Sequence, residues 1–215
     1  MYMPAHFEEK RVEAMHALIA AHPFGVVTHG PSGLDANHVP FELDMTAGEH
    51  GTLRAHVARN NPVWKEVTAG QDVLVIFQGE EGYISPNFYL SKAETHKQVP
   101  TWNYAVVHAH GRITIRDDES YVRGVVARLT RKMEAGEAAP WKMGDAPREF
   151  IDQMLTMIVG IEIEVTRLVG KAKLSQNKET ADRLGAERGL RERGTDAADA
   201  LANAMAATMP DLSRS

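Results

Sequence analysis

Apolar positions along the chain follow helical spacing in some stretches and strand alternation in others. Val12, Met15 and Ile19 recur at helical intervals, with Glu8 and Glu9 ahead of them and Pro23 behind, which predicts a helix over 8–21. Strand-like runs follow at 24–28, 34–43, 52–59 and 72–78. They are separated by turn-forming clusters at 30–33, 48–51 and 60–62. Residues 73–77 are apolar on both faces, as in a strand covered on both sides. A short helix is expected over 62–68.

The stretch 82–103 holds aromatics, polar residues and two prolines without either periodicity, and is expected to be a long irregular segment. Residues 104–116 then alternate, with Val107, Ala109, Ile113 and Ile115 on one face and His108, His110, Arg112 and Thr114 on the other. Gly111 is read as a bulge. Val122, Val125, Val126, Leu129 and Met133 form one helical stripe, with acids before it and bases at its end. Phe150, Ile151, Met154, Leu155 and Ile158 form a second after Pro147. Residues 159–166 alternate as a last strand. Past Lys178 the pattern is helical and charged, then Ala-rich over 197–207, ending at Pro210. We read one domain over 1–194 and a helical tail over 195–215, packed on the body or on a partner subunit. Strands not regularly interleaved with helices argue against a parallel doubly wound sheet. They point to a mainly β fold with flanking helices (α+β), closed as a barrel because few strands carry charged edges.

Composition narrows the chemistry. The chain has 215 residues, 43% hydrophobic and 25% charged, an ordinary globular balance. It has no cysteine, which removes disulfides, thiolate metal sites and cysteine nucleophiles. The N-terminus lacks the apolar segment of a signal peptide, and no apolar run approaches the roughly 18 residues of a membrane span. The expected address is the cytoplasm. The net charge is −5, and the basic residues are scattered apart from those between Arg188 and Arg193. That balance argues against strong direct DNA binding, and no helix-turn-helix pattern is visible.

Glycine-rich dinucleotide and phosphate loops, the serine-hydrolase elbow and the zinc-protease helix motif are all missing from the sequence. Ten histidines raise metal or haem ligation, and His108 with His110 shares a strand face, but no third ligand is fixed by spacing. No metal site is assigned. Asn37 and His38 interrupt a strand before Pro40. Arg59 and Asn60 end a strand just before the short helix, a candidate monophosphate cradle. Residues 99–104 join a rigid turn to two aromatics suited to stacking on a flat ring. Residues 173–178 bring a cation and polar side chains to the start of a helix. Each segment has a plainer reading as a turn, a surface ion pair or a helix cap. Together they ask for a ligand with a phosphate, a polar-edged ring system and an aromatic face.

The segments MYMPAHF, ANHVPF, HVARNNP, YISPNFYLSK, VPTWNY followed by VHAHG, VGIEIEVTRL and KLSQNK occur in one order from Met1 to about Gly194. In this the chain resembles PaiB-type FMN-binding negative transcriptional regulators. Two segments depart from that pattern, at Asn60 and at 87–90. The resemblance implies an FMN-binding split β-barrel like that of pyridoxamine-phosphate oxidases, typically a homodimer with flavin at the subunit interface. It implies Arg59 and Asn60 on the phosphate side, with Ser85 joining from the irregular segment. Asn37 and His38 would touch the ring or ribityl chain, and Trp102 and Asn103 would flank the isoalloxazine. Lys173, Ser175, Gln176 and Asn177 would close the site. The expected function is an FMN-binding regulator. The alternatives are an FMN-dependent oxidoreductase using NAD(P)H and a haem-binding split barrel.

Overall fold

The computed structural model describes residues 1–30 and 34–209. Its elements are β1 (Glu8–Glu9), α1 (Val12–Ala21), β2 (Phe24–His29), β3 (Asp35–Pro40), β4 (Glu42–Asp44), β5 (Thr52–Ala58), α2 (Val63–Glu66), β6 (Gln71–Ile84), α3 (Ser91–Thr95), β7 (Thr101–Arg116), α4 (Glu119–Met133), α5 (Arg148–Thr156), β8 (Ile158–Lys173), α6 (Thr180–Arg191) and α7 (Asp196–Ala206). The strands pair in the order β3-β2-β6-β7-β8-β5-β4, with β1 added to β8. The pairs β1–β8, β2–β3, β2–β6, β4–β5 and β5–β8 are antiparallel. Among the described residues no helix is long and apolar enough to cross a membrane.

The chain divides into two compact units. The first holds 1–11, 78–107 and the chain from 169 onward; the second holds 12–77 and 108–168. In the first unit, Glu8 and Glu9 pair with Lys171 and Gly170. They are strand and not the first turn of a helix, because the extended backbone finds a ladder partner there. Thr195 caps α7 by accepting from the Ala198 amide at 3.3 Å. Leu201, Ala202 and Met205 of α7 are buried with Ile84, Leu174 and Leu190, so the Ala-rich helix packs into the core of its own unit. The face of α6 is made of glycines for a reason. A Cβ on Gly189 would sit 2.3 Å from the Phe88 ring, and one on Gly185 would sit 2.2 Å from the Phe88 carbonyl oxygen.

In the second unit, alternation buries Leu53, Ala55 and Val57 of β5 and Val159, Ile161 and Ile163 of β8. Asp118 caps α4, accepting from the Tyr121 amide at 2.8 Å. Gly111 lies within the continuous strand β7. It serves a close approach, since a Cβ there would meet the Glu164 carbonyl oxygen at 2.4 Å.

Several expectations need correction. The run at 34–43 breaks at Phe41, whose amide donates to the Pro23 carbonyl instead of a ladder partner. Segment 82–103 is less irregular than its composition suggests. It contains the end of β6, a 3-10 turn at Pro86–Phe88, α3 and the start of β7. On α5 only Ile151 and Leu155 are buried, against Val122, while Phe150 and Met154 are 51% and 41% exposed. The stripe read from the sequence is wider than the surface that covers it. The turn expected at 30–33 lies mostly outside the described residues, as does Pro210.

Candidate functional site

The first unit brings four of the eleven expected residues, Asn103, Lys173, Ser175 and Asn177, to the lining of one small cavity. Lys173 ends β8, and its ammonium donates to the Thr101 hydroxyl and the Trp102 carbonyl at the start of β7. Two residues on, Ser175 has a left-handed backbone (φ 65°), a conformation that non-glycine residues hold only when neighbours enforce it. Gln176 supplies the enforcement: it accepts from the Leu174 amide and donates to the Ala172 carbonyl, both at 2.7 Å. The turn points the Ser175 hydroxyl at Asn103, whose Nδ2 donates to it at 2.9 Å. Asn103 is 1% exposed and its Nδ2 also faces the Met205 sulfur at 3.4 Å.

Tyr89, Thr101, Asn103, Lys173, Ser175, Asn177 and Lys178 are among the residues lining a cavity of about 210 Å³. Lys178 donates to the Gln98 side-chain oxygen at 2.7 Å and lies 4.8 Å from the centre of the Tyr89 ring. Lys171 donates to the Tyr2 carbonyl and sits against the Tyr104 ring. Among the described residues none of these three lysines forms an ion pair with a carboxylate. Burial lowers the Lys173 pKa, and repulsion from Lys171 and Lys178 lowers it further. Burial likewise raises the Tyr89 pKa. The Tyr89 hydroxyl lies near Ser175 but makes no hydrogen bond of full geometry. Beside these groups Trp102 is 53% exposed, with the Tyr83 ring edge-on at 6.3 Å.

The remaining first-unit candidate, Ser85, accepts from the Asn87 amide at 3.2 Å and caps the short turn that follows; it is not a cavity-lining residue. Sequence reading missed Tyr89 and Gln98. Their signal was only a polar or aromatic residue in a stretch without periodicity.

The second unit holds Asn37, His38, Arg59 and Asn60, and here the arrangement is more structural. Asn37 bridges His29 at 3.1 Å and Asn61 at 2.6 Å. Arg59 donates to both Asp117 carboxylate oxygens (3.0 and 2.6 Å), to the Thr156 carbonyl (2.7 Å) and to the Ile158 carbonyl (3.2 Å). Its guanidinium is thus largely committed to the end of α5 and the start of β8. The helix after it, α2, has four residues. Asn60 and His38 are exposed, His38 beside the Phe24 ring. A larger groove of about 400 Å³ in this unit is lined by Arg54, Arg112, Arg116, Glu162 and Glu164 among others. There Glu162 is gripped by Arg54 (3.3 Å) and Arg116 (2.5 Å), and Arg54 also meets Asp44 (2.8 Å), so these charges are paired directly. Burial lowers the pKa of His108 and of His110. Among the described residues no three His, Asp or Glu side chains are placed to hold a metal.

The lysine cavity differs from the groove in holding ammonium groups that, among the described residues, touch no carboxylate directly, beside hydroxyl and amide donors and an exposed indole. That set fits the polar or anionic part of a flavin. Residues 1–167 match the model of a putative FMN-binding domain. The chain belongs to that family. It is 30% identical to the protease synthase and sporulation protein PAI 2 of Bacillus subtilis, over 85% of each chain. It is 33% identical to an uncharacterized protein of Emericella nidulans, over 94% of this chain and 95% of the relative. In fold it is similar to an FAD and haem binding protein from Mycobacterium smegmatis (TM-score 0.59, 13% identity, 83% of this chain and 79% of that one). It is also similar to a flavocytochrome from Azotobacter vinelandii (TM-score 0.56, 13% identity, 80% and 72%). The fold shared with these neighbours is mainly antiparallel sheet with flanking helices. Lys173, Ser175 and Lys178 lie beyond the residues that the family model matches.

Proposed function

We propose that this protein binds FMN, with an anionic or polar part of the flavin seated among Lys173, Ser175 and Lys178. The supporting observation is the pair of cavity lysines, Lys173 and Lys178, bonded to neutral acceptors beside the buried Asn103–Ser175 pair, with Lys171 close enough to repel Lys173. In this reading Lys173 and Lys178 supply charge and Asn103 and Ser175 fix the cavity floor. Gln176 holds the turn, Asn177 lines the cavity and Trp102 offers a stacking face. His38 and Asn60, exposed in the second unit, are assigned no part in this cavity. Asn37, Arg59 and Ser85 act as holders of their segments, a change from the phosphate role expected of Arg59. Bound flavin supplies electron-transfer chemistry, while the chain supplies orientation and electrostatics.

We further propose a homodimer in the cytoplasm that acts as a PaiB-type negative regulator through a metabolite, redox state or partner protein. The net charge of −5 supports an indirect route. Gel shifts with promoter DNA at physiological salt are expected to show no salt-sensitive complex; a specific complex would establish direct action. The second reading, an NAD(P)H-dependent oxidoreductase, is favoured by Lys173, whose charge would stabilise an anionic reduced flavin. Steady turnover of NADH or NADPH by the holoprotein would establish it.

The ligand itself is tested by the visible spectrum of protein purified without added cofactor, with mass identification of the chromophore released by heat. A two-banded yellow spectrum and FMN are expected. A haem spectrum with no flavin overturns the proposal.

A further inference from the structure

A buried acid near Lys178 leaves the lysine without an ion pair. Asp182 of α6 is 3% exposed. Its carboxylate accepts from the Ser91 amide at 2.9 Å, the Ser91 hydroxyl at 2.7 Å and Gln98 Nε2 at 3.2 Å. A carboxylate can only accept, so it fixes which end of the Gln98 amide faces it. Gln98 Nε2 also donates to the Ser91 hydroxyl at 2.6 Å. The amide oxygen is thereby turned the other way, where it accepts from Lys178 Nζ at 2.7 Å. Asp182 is satisfied by neutral donors, and Lys178 is held by a neutral acceptor and by the Tyr89 ring.

We infer that Gln98 is the specificity-determining residue of this cavity: a neutral spacer, oriented by Asp182, that fixes the Lys178 ammonium while leaving its charge for an anionic group of the ligand. This rests on the reading of the cavity as the flavin's anionic seat. A carboxylate at position 98 would add negative charge beside Lys178 and set an acceptor oxygen against Asp182, where Nε2 now donates at 3.2 Å; the amide satisfies both neighbours without adding charge. The group recognised is a localised negative charge. On a flavin that is either the phosphomonoester or the N1–C2=O edge of the reduced ring.

The test measures Kd for FMN and riboflavin by flavin fluorescence, over a range of NaCl, for the wild type, Gln98→Glu, Gln98→Met and Lys173→Gln. Gln98→Glu is expected to weaken FMN about tenfold or more and to flatten its salt dependence, because one effective charge is lost. Gln98→Met is expected to weaken FMN by only about threefold and to keep the wild-type salt dependence. A merely structural role would lower the melting temperature of Gln98→Met and leave FMN affinity of the folded variant unchanged. Gln98→Glu binding within about twofold of wild type with an unchanged slope overturns the inference. If Gln98→Glu does not fold, Gln98→Met decides: wild-type affinity in the folded variant overturns it. Should Lys173→Gln bind FMN like wild type, the cavity reading itself fails. Weakening by Lys173→Gln without an effect of Gln98→Glu removes the spacer alone. An effect on FMN but not riboflavin assigns the phosphomonoester. Weakening of both, with a more negative flavin reduction potential in Gln98→Glu, assigns the ring edge.

Discussion

Asn103 and Ser175 stand 72 residues apart in the chain and meet side chain to side chain, Nδ2 to Oγ at 2.9 Å. Neither is more than 3% exposed. The contact joins the start of β7 to the turn that follows β8, and it depends on Ser175 holding a left-handed backbone. Ser175→Ala keeps the backbone strain and removes the oxygen, leaving Asn103 only the Met205 sulfur. Loss of about 1–3 kcal/mol of stability is expected, from the desolvation cost of a buried, unpaired amide. Ser175→Gly should fall between the two, because glycine takes φ 65° without penalty. Urea unfolding of the three proteins checks the order.

Lys173 sets a pH dependence whose sign can be worked out. Its folded pKa is lowered by burial and by Lys171 and Lys178, so without ligand the unfolded chain binds more protons in the alkaline window. Stability should therefore rise with pH between the folded pKa and the ordinary lysine value of about 10.4. A bound anion favours the protonated amine, so FMN affinity should fall as pH rises through that lowered pKa. Lys173→Arg should move the fall out of the measurable range. Titrations at stepped alkaline pH would show an unchanged profile if Lys173 is not at the anion.

Glu162 obeys the opposite rule. Burial raises its pKa, but hydrogen bonds from Arg116 and Arg54 outweigh that and leave it lowered. Its stabilisation is present above the unfolded value of about 4.3 and is lost as pH falls through the folded pKa. Glu162→Gln should destabilise by about 1.5–3 kcal/mol at neutral pH, the range for hydrogen bonds to charged groups. The gap to wild type should close in acid, which unfolding at stepped pH would reveal.

Gly189→Ala reverses a familiar sign. In an open helix the change gains up to about 1 kcal/mol, but here the new methyl would meet the Phe88 ring at 2.3 Å. A destabilisation of about 1–3 kcal/mol is expected, as for an overpacked core. A higher melting temperature would contradict the packing of α6 on Phe88.

Much of this was legible in the chain because local chemistry and final fold agree. Alternation at 104–116 and 159–166 placed β7 and β8, and the acids and bases around 119–133 placed α4. The KLSQNK and VPTWNY segments were picked out by residue type, and the structure brings Asn103, Lys173 and Ser175 to one cavity. What escaped depends on partners distant in sequence. Glu8 and Glu9 become strand only because Lys171 and Gly170 lie beside them. Arg59 loses its freedom to Asp117, 58 residues away. Tyr89 and Gln98 gain meaning from Ser175, Asp182 and Lys178, none of which their own neighbourhood announces.

The most direct measurement is titration of FMN, followed by flavin absorbance and fluorescence, into the cofactor-stripped wild type and Lys173→Gln at neutral pH. Saturable binding near one FMN per chain is expected for the wild type, with Kd raised about tenfold or more in the folded variant. Equal affinity in both, or no FMN binding by the folded wild type, would contradict the account.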